Sequence, residues 1–420
     1  MLDIHFIRDN PDALKAGLKK KGVEFDVDYL LHLDEKRRAK IKEVDDLRAE
    51  QNVASEAIVG LTDKAKEAKV AQMQSLKAKL GDVEFELKAL EAEFTELMQK
   101  VPNLPLDDVP AGGPEDNRVI REVGEKPQFD FKPRDYLEIA EALDLIDMER
   151  AAKVAGSRFG YLKREAALLE FALVRYAFDT LLPEGFIPIV PPVMLRPEHF
   201  RAIGRIPPGQ EEERYFLHSD NLYLAGSAEH TIAPMHAGEV LDENALPLRY
   251  FAFSSCFRRE AGSYGKDTRG ILRVHQFDKV EMFSFVRAED SEPELERMVA
   301  WQERLMQGLG LPYRVVLIAA GDMGWPEAKL YDLETWLPGE GTYRETHSAS
   351  TTTDFQARGT NTRYRTAGGE LAFAHTLNAT AFAIGRTIIA ILENYQQADG
   401  SVKIPDALRP HMHGISEIRR

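Results

Sequence analysis

Residues 249–286 read RYFAFSSCFRREAGSYGKDTRGILRVHQFDKVEMFSFV, and their pattern is the most informative in the chain. The run from Tyr250 to Phe257 is apolar and aromatic, which predicts a β-strand. Glycines at positions 262, 265 and 270 then stand among charged residues, a composition that predicts a long polar loop. A second strand follows the loop, so we expect an antiparallel pair of strands.

The second strand has two chemically different faces, because successive side chains of a strand point to opposite sides. Alternation assigns Leu272, Val274, Val280 and Met282 to one face, and Arg273, His275, Phe277, Lys279 and Glu281 to the other. The second set favours a binding surface for a ligand with phosphates, a flat base and an ammonium group. For any single residue, a surface ion pair on a half-buried strand is the ordinary alternative.

Arg258 and Glu260 lie at the end of the first strand, near this polar face. Residues 257–283, FRREAGSYGKDTRGILRVHQFDKVEMF, resemble motif 2 of the class II aminoacyl-tRNA synthetases, in its seryl-tRNA synthetase form. That family usually has Phe-Arg-Ser-Glu where this chain has Phe257-Arg258-Arg259-Glu260, so Arg259 is a departure. The resemblance implies an α+β fold, with an antiparallel β-sheet catalytic domain and an N-terminal antiparallel two-helix coiled-coil arm.

Residues 28–62 and 70–101 carry the heptad pattern of such an arm. The apolar positions are Leu30, Leu33, Val44, Leu47, Ala54, Ile58 and Leu61, and then Met73, Leu76, Leu80, Val83, Leu87, Leu90, Phe94, Leu97 and Val101. The pattern predicts two antiparallel helices joined near residues 62–69. Heptads alone are more typical of structural or dimerising coiled coils; the resemblance implies instead that the arm grips the variable arm of a tRNA.

Composition indicates a change of domain after the N-terminal part of the chain. Residues 1–25 predict a small helical lead-in, with Asn10 as cap and Pro11 in the first turn of a helix. Residues 102–118, PNLPLDDVPAGGPEDNR, are dense in Pro, Gly and Asp and predict a linker. We therefore expect a tRNA-binding arm over residues 1–110 and a catalytic domain over residues 111–420.

Early in the catalytic domain the pattern predicts a helix, a short strand near Phe159–Leu162 and a long helix to Leu182. Residues 185–192, GFIPIVPP, then resemble motif 1, with the family's proline at Pro192. An ordinary loop proline is the alternative for that residue alone. The resemblance implies a homodimer.

Two further segments match the family in order. Residues 222–241 predict a strand, a turn and a helix, and Ser227-Ala228-Glu229 stands where the family typically has Thr-Ala-Glu. By itself this triplet is also a plain helix start. Residues 371–396 predict a buried strand, a turn at Asn378-Ala379-Thr380 and an apolar helix, and they resemble motif 3 through Gly385-Arg386.

The resemblance implies a set of site residues for ATP, Mg²⁺ and L-serine. The catalytic residues are Arg258, Glu281 and Arg386. The ATP-binding residues are Arg258, Arg259, Glu260, Arg273, Phe277, Glu345, Thr346, His347, Ser348 and Arg386. The serine-binding residues are Ser227, Ala228, Glu229, Arg258, Glu281 and Thr380. Glu345 and Ser348 follow a glycine turn, and their oxygen atoms suit Mg²⁺.

Composition limits the cellular setting. Among 420 residues there is one cysteine, Cys256, which excludes an internal disulfide and a multi-cysteine zinc site and fits a reducing cytosol. No apolar run is long enough for a membrane span, and the first residues do not read as a signal peptide. The net charge of −15 argues weakly against nucleic acid, although basic clusters occur at residues 15–21 and 36–42.

The expected function is ligation of serine to tRNA(Ser), through seryl-adenylate, in the cytoplasm. Charging of tRNA(Sec) is left open by the sequence, and tRNA contacts are expected from the arm and the motif 2 loop. Two other classes remain open. One is a related ligase that loads something other than tRNA; the arm argues against it. The other is a coiled-coil adaptor with an inactive nucleotide fold; the intact Arg258, Glu260, Glu281 and Arg386 argue against that.

Overall fold

The structure, a computed structural model, describes residues 1–57, 63–206, 209, 211–260 and 269–420, with only the backbone of residues 63–65. These residues form two compact units. One contains residues 2–18 and 24–101, and the other contains Met1, residues 19–23 and residues 102–420. The chain thus passes from one unit to the other after residue 101, somewhat before the expected division at residue 110. Among the described helices, none is long and apolar enough to cross a bilayer.

The helices of the N-terminal part are α1 (Ile4–Asp9), α2 (Pro11–Lys20), α3 (Val27–Glu56) and α4 (Asp63–Gln99). Pro11 opens α2, where the missing N–H of a proline leaves no bond unmade. The backbone carbonyl of Asn10 accepts the first bond of that helix, from the N–H of Leu14 at 3.2 Å. The predicted helical lead-in is therefore confirmed.

Helices α3 and α4 run antiparallel along an apolar seam. The seam includes Val44 and Leu47 of α3, and Leu76, Leu80, Val83 and Leu87 of α4. Ion pairs flank it: Lys40 lies 2.7 Å from Glu86, and Arg48 lies 2.7 Å from Glu84. Residue numbers rise along α3 while those of its partners fall along α4, which confirms the predicted antiparallel pair.

The predicted connection between these helices is wrong over residues 63–69, which belong to the first turns of α4. This stretch, DKAKEAK, has no apolar seam, but alanine, lysine and glutamate are strong helix formers. Helix propensity therefore extends α4 beyond the heptads that predicted it. Ile58, Leu61 and Thr62 lie outside the described residues.

The stretch at residues 102–118 is not a free linker, because it packs on the second unit. Asn103 is buried, and its Nδ2 donates to the carbonyl oxygens of Pro326 at 2.9 Å and Thr352 at 2.7 Å. Val109 joins a small apolar cluster with Val316. Most of this stretch lacks regular structure, as proline and glycine predicted, although a 3₁₀ turn forms at Pro114–Asp116 and β1 begins at Arg118. The absence of regular structure does not prevent packing.

The second unit contains most of the strands and the shorter helices. The strands are β1 (Arg118–Val123), β2 (Ile146–Asp147), β3 (Tyr161–Leu162), β4 (Ile187–Ile189), β5 (Met194–Leu195), β6 (Phe216–Leu217), β7 (Leu222–Leu224), β8 (Val240–Asp242), β9 (Leu248–Phe257), β10 (Gln276–Val286), β11 (Tyr313–Leu317), β12 (Lys329–Leu337), β13 (Thr342–Thr351), β14 (Arg363–Arg365), β15 (Leu371–Phe373), β16 (His375–Ala383), β17 (Val402–Lys403) and β18 (Glu417–Ile418). The helices are α5 (Tyr136–Leu143), α6 (Met148–Ala155), α7 (Arg164–Leu181), α8 (Pro197–Ala202), α9 (Glu229–Ile232), α10 (Ser291–Gly308), α11 (Phe355–Thr360) and α12 (Ile384–Asn394).

An eight-stranded sheet forms the centre of this unit, with the strand order β1-β11-β12-β13-β16-β10-β9-β4. Its neighbouring strands pair antiparallel, except that β4 runs parallel to β9. This architecture confirms the predicted α+β fold with an antiparallel catalytic sheet. The predicted short strand and long helix are β3 and α7, whereas the helix expected before them is divided into α5 and α6 by β2.

Strand β10 separates two apolar cores. Val280 and Met282 face a core that also contains residues of α7, α10 and α12. Phe283 and Phe285 face the other core, with Phe200 of α8. Odd-numbered residues of β10 therefore share one face, which is apolar at 283 and 285 and polar at 279 and 281.

The predicted turn at Asn378–Thr380 is wrong, because these residues lie in the middle of β16. This strand pairs with β10 on one side and β13 on the other, and Ala379 faces both Met282 and Ala349 in register. Two paired edges outweigh the turn preference of one asparagine. The apolar helix follows directly as α12.

Candidate active site

The hairpin of β9 and β10 forms one wall of a cleft. Phe257 pairs with Gln276, and Ser254 pairs with Lys279, as the sequence predicted for two antiparallel strands. Phe277 and Lys279 lie on the cleft side, as alternation predicted. The guanidinium carbon of Arg258 lies 5.2 Å from the centre of the Phe277 ring, so a cation and an aromatic face are presented together.

The predicted alternation of side chains between two faces does not hold before residue 276, because β10 begins only there. Leu272 and Val274 were assigned to the face opposite Arg273, but all three residues line the cleft. The chain turns here because Gly270 has φ +70°, and a Cβ at this position would lie 1.9 Å from the hydroxyl oxygen of Tyr136. That hydroxyl accepts from the N–H of Ile271 at 3.0 Å and fixes the turn.

The cleft brings together residues from distant parts of the sequence. Those predicted to bind ATP, serine or metal that line it are Arg258, Glu260, Arg273, Phe277, Glu345, Thr346, Ser348, Thr380 and Arg386. They come from the β9–β10 hairpin, from β13, from β16 and from the start of α12. The segments that resemble motifs 2 and 3 therefore meet, together with residues 345–348, in one place.

Glu345 and Ser348 share a face of β13 because the strand contains a β-bulge. In a regular strand, side chains three residues apart point to opposite faces, because successive side chains alternate. Here His347 pairs with Leu333, but Glu345 pairs with Glu334, so two residues of β13 oppose one of β12. The bulge restores the shared face and places both oxygen-bearing side chains in the cleft.

Strand β16 has a similar bulge. Thr380 pairs with Glu281 and Phe382 pairs with Val280, so Thr380 and Ala383 both face the cleft. The rings of Phe382 and His347, one from each bulge, pack edge to face at 5.8 Å. The two irregularities are thus neighbours.

Gln302 of α10 ties the two bulged strands together. Its Nε2 is buried and donates to the carbonyl oxygens of Ser348 at 2.8 Å and Thr380 at 2.9 Å. These bonds satisfy carbonyl groups that an irregular ladder would otherwise leave without partners. The sequence analysis did not identify Gln302, since a glutamine in an amphipathic helix gives no signal of such a role.

Arg386 faces Glu345 across the cleft. Its Nη1 donates to the backbone oxygen of Glu345 at 2.9 Å and lies 3.2 Å from the carboxylate oxygen Oε1. Desolvation of the Glu345 carboxyl group raises its pKa. The positive charges of Arg386, Arg258 and Arg273 have a larger opposite effect and hold that pKa below its usual value. Glu345 is therefore a carboxylate near neutral pH.

A second acid, Asp332, lies beside this pair, opposite Ser348 in the register of β12 and β13. Burial raises the pKa of Asp332 well above its usual value, and the negative charge of Glu345 raises it further. The sequence analysis missed Asp332 because only its cross-strand position connects it with the cleft.

Glu260 and Arg273 connect the two ends of the hairpin loop. Nη1 of Arg273 donates to Oε2 of Glu260 at 2.6 Å. Glu260 has φ 52°, a left-handed conformation that is unfavourable for a glutamate. Such strain is most often found in functional segments. The glycines at 262 and 265, and the rest of the predicted loop at residues 261–268, lie outside the described residues.

Residues 226–229 form a turn next to the cleft. Nε of Arg258 donates to the carbonyl oxygen of Gly226 at 3.1 Å, and Oγ of Ser227 accepts from the N–H of Glu229 at 3.2 Å. The predicted helix here is a single turn, α9, rather than a helix to residue 241. Pro234 ends it, because a proline cannot continue the ladder of helix bonds.

His230 holds this turn from within the core. The N–H of Gly226 donates to Nδ1 of His230 at 3.0 Å. Burial, together with the charges of Arg214 and Arg205, lowers the pKa of His230 well below its usual value. The neutral ring can therefore accept this bond throughout the physiological range.

Glu281 is almost completely buried and pairs with Lys279, its Oε2 lying 2.5 Å from Nζ of the lysine. Burial raises the pKa of Glu281, Lys279 opposes that rise, and the charge of Glu229 adds to it. Glu229, Glu281 and Arg258 thus influence one another electrostatically. Alternation placed Lys279 on this face, but the sequence assigned it no role.

Two predicted ATP-binding residues lie away from the cleft. Arg259 is exposed, and its N–H donates to the carbonyl oxygen of Glu213 at 3.2 Å. His347 is buried on the other side of its bulge, with Nδ1 2.8 Å from Oγ1 of Thr346. Burial lowers the pKa of His347 to about 4, so its ring is neutral.

Carboxylate and hydroxyl oxygens of the kind magnesium prefers are present on one face, from Glu345 and Ser348. In the described ranges, no group of three or more His, Cys, Asp or Glu residues could hold a metal ion by itself. A divalent ion at this position would need further oxygen ligands, such as the phosphates of a nucleotide.

Comparison with known proteins covers the whole chain. Residues 215–395 match the family described as "tRNA synthetase class II core domain (G, H, P, S and T)". Residues 1–105 match "Seryl-tRNA synthetase N-terminal domain". The serine–tRNA ligase of Clavibacter sepedonicus is 47% identical over 417 residues, 99% of this chain and 97% of the relative. That of Thermobifida fusca is 46% identical over 412 residues, 98% of this chain and 97% of the relative.

Solved structures agree with these matches. A seryl-tRNA synthetase from Pyrococcus horikoshii complexed with ATP has a TM-score of 0.91 and 39% identity, covering 100% of this chain and 99% of the other. The cytoplasmic serine–tRNA ligase of Naegleria fowleri in complex with AMP has a TM-score of 0.87 and 32% identity, with the same coverage. The chain therefore belongs to the seryl-tRNA synthetase family of the class II aminoacyl-tRNA synthetases.

Proposed function

We propose that the cleft joins L-serine to ATP and then transfers the seryl group to tRNA. A carboxylate oxygen of serine attacks the α-phosphorus, the bond to the β-phosphate oxygen breaks, and pyrophosphate leaves. The terminal ribose hydroxyl of the tRNA then attacks the seryl carbonyl and AMP leaves. The observation that carries this proposal is the meeting of Arg258, Phe277, Arg386, Glu345 and Ser348 in one cleft.

Positioning and charge neutralisation are the work expected of the cleft residues. Arg258 bridges the serine carboxylate and the α-phosphate, which aligns the attack. Phe277 and Arg386 hold the two faces of adenine, and Arg273 neutralises the phosphate tail. The complexes of the two solved relatives with ATP and AMP support a nucleotide at this position. No protein side chain is needed as a nucleophile.

The wider ATP-binding set remains part of the proposal. Within it, Glu260 and Thr346 line the cleft, whereas Arg259 and His347 would contribute from outside it. Glu345 and Ser348 would hold Mg²⁺ at the phosphates. When bound, the ion would neutralise phosphate charge and orient the leaving pyrophosphate.

Serine is recognised through its amino group and its hydroxyl group. Ser227, Ala228 and Glu229 receive the amino group, and Glu281 and Thr380, partners in strand register, bind the hydroxyl. Alanine would leave buried polar groups without partners. Hydroxyl-based rejection of this kind reaches about 10⁴-fold or more in a related type of synthetase.

The remaining roles follow the same family. We propose that residues 1–110 contain the tRNA-binding arm, that residues 111–420 catalyse, and that the motif 2 loop also contacts tRNA(Ser). Motif 1 would form a homodimer, and Cys256, whose pKa burial raises to about 11, is compatible with the cytoplasm.

ATP–pyrophosphate exchange with single amino acids tests the proposal. Serine should support exchange without tRNA, whereas alanine, glycine and threonine should barely do so. Exchange with alanine or threonine equal to that with serine would refute the serine assignment. Exchange without any charging of tRNA would favour the related ligase that loads another acceptor.

A further inference from the structure

Glu229 is held by a buried network that the family motifs do not include. Nε and Nη2 of Arg205 donate to Oε1 of Glu229, at 2.8 and 2.6 Å. Nε2 of Gln356 donates to the same oxygen at 2.8 Å. Three donors thus converge on one carboxylate oxygen, and they fix the plane and direction of the group.

Arg205 also binds a second acid. Its Nη1 donates to Oε1 of Glu327, so one guanidinium bridges two carboxylates. The side chains of Arg205, Glu229 and Glu327 are 16%, 5% and 6% exposed. Buried charges need partners of fixed geometry, and the planar fork of an arginine supplies them.

The segment that carries Glu327 is itself anchored from two sides. Nζ of Lys21 donates to the carbonyl oxygens of Gly324 at 2.8 Å and Glu327 at 2.9 Å. Nδ2 of Asn103 donates to the carbonyl oxygen of Pro326 at 2.9 Å. Glu327 therefore gives Arg205 a rigid second contact.

We propose that Arg205 is a positioning residue for serine, acting through Glu229 with Glu327 as its anchor. This inference rests on the proposed binding of the serine amino group by Glu229. An ammonium group needs a carboxylate that already points at it, because reorientation on binding would cost affinity. Fixing Oε1 fixes the position of Oε2, so the network sets where serine can place its nitrogen.

Steady-state ATP–pyrophosphate exchange by the full-length Arg205→Gln protein tests this role. We expect the KM for serine to rise about tenfold to a hundredfold, because charge-assisted bonds are lost, while the KM for ATP stays within about twofold. Arg205→Lys should recover part of the serine affinity, since an ammonium can replace one of the bonds.

Arg249 provides a matched control. It forms the same kind of buried pair, with Nε and Nη2 at 2.6 and 2.7 Å from the carboxylate of Glu294, but Glu294 is not among the proposed serine-binding residues. Arg249→Gln should lower the melting temperature and leave both KM values unchanged. The contrast separates positioning from general stability.

Gly324→Ala offers a milder test that does not remove the arginine. A Cβ at Gly324 would lie 2.5 Å from Oε2 of Glu327, so that carboxylate must move. The KM for serine should rise, by less than in Arg205→Gln, and this variant carries the test if Arg205→Gln does not fold.

Two results would overturn the inference: an unchanged KM for serine in a folded Arg205→Gln or Gly324→Ala protein, or equal rises in both KM values. Absence of serine-dependent exchange in the wild-type protein would instead refute the proposed function, and the inference with it.

Discussion

Lys279 and Glu281, two residues apart on β10, form a buried ion pair with 2.5 Å between Nζ and Oε2. Both side chains point to the face that continues into the apolar core at Phe283 and Phe285. Burial raises the pKa of Glu281, and Lys279 opposes that rise. Lys279 therefore favours the form of Glu281 that carries a negative charge, against the effect of burial.

Replacing Glu281 by glutamine keeps its size but removes that charge and leaves Lys279 without its ion pair. We expect the KM for serine in pyrophosphate exchange to rise about tenfold or more, with a much smaller change for ATP. Glu294→Gln is the control, since Glu294 is also buried and paired but is not among the proposed serine-binding residues. An unchanged affinity for serine by calorimetry would contradict the proposed role.

Phe277 is expected to stack on adenine. Phe277→Ala should raise the KM for ATP about tenfold to a hundredfold, because stacking of a base on an aromatic ring contributes about 1–3 kcal/mol. The KM for serine should change little. Phe253→Ala, in the neighbouring strand but packed against the core, should reduce stability without affecting ATP. Similar KM values for ATP in both variants would count against stacking.

The motif 1 segment exposes apolar side chains that a dimer interface would cover. Val190 is 89% exposed, and Ile187 and Phe171 of the preceding strand and helix are also exposed. We expect light scattering to report a dimer at micromolar concentration and Val190→Lys to shift it toward monomer. Val154→Lys, at a comparably exposed valine, should not. A monomeric wild-type protein would refute the dimer.

The arm should be separable from amino acid activation. Lys21 and Asn103 bond to the same short segment, residues 324–327, so the chain leaves and re-enters the second unit at nearby points. Deleting residues 24–101 and joining the ends with a short bridge should leave serine-dependent exchange nearly intact. Charging of tRNA should fall by about two orders of magnitude or more, because phosphate contacts are lost.

Two outcomes would contradict that division. Normal charging by the deletion protein would make the arm structural. Loss of exchange in a protein that circular dichroism shows to be folded would mean that the arm supports the site.

In the intact protein, charging should weaken steeply with salt. Lys42 is exposed and is the better phosphate contact, since Arg37 and Arg38 both pair with Asp34.

The sequence predicted most of the residues that line the cleft, because their types and order match a known family. It did not predict why Glu345 and Ser348 meet, since a bulge depends on which strand lies opposite and not on local composition. The turn expected at Asn378–Thr380 failed for the same reason: pairing on both edges decided the conformation.

Helix ends and buried partners were equally hard to predict. The start of α4 followed helix propensity rather than the heptads. Arg205, Gln302 and Glu327 lie far in sequence from the residues they hold, so only the folded chain brings them together. The sequence identified the groups that act on substrates better than those that hold such groups in place.

The neighbouring bulges of β13 and β16 have a consequence for how specificity in this cleft could change. One residue separates Asp332 from Glu334 on β12, but two separate Ser348 from Glu345 on the paired strand. The position of the bulge in the strand, rather than the identity of any side chain, therefore decides which groups face the cleft. Substitutions can adjust the strength of a contact, whereas insertion of a single residue in a bulged strand would exchange the whole set of groups that the cleft presents.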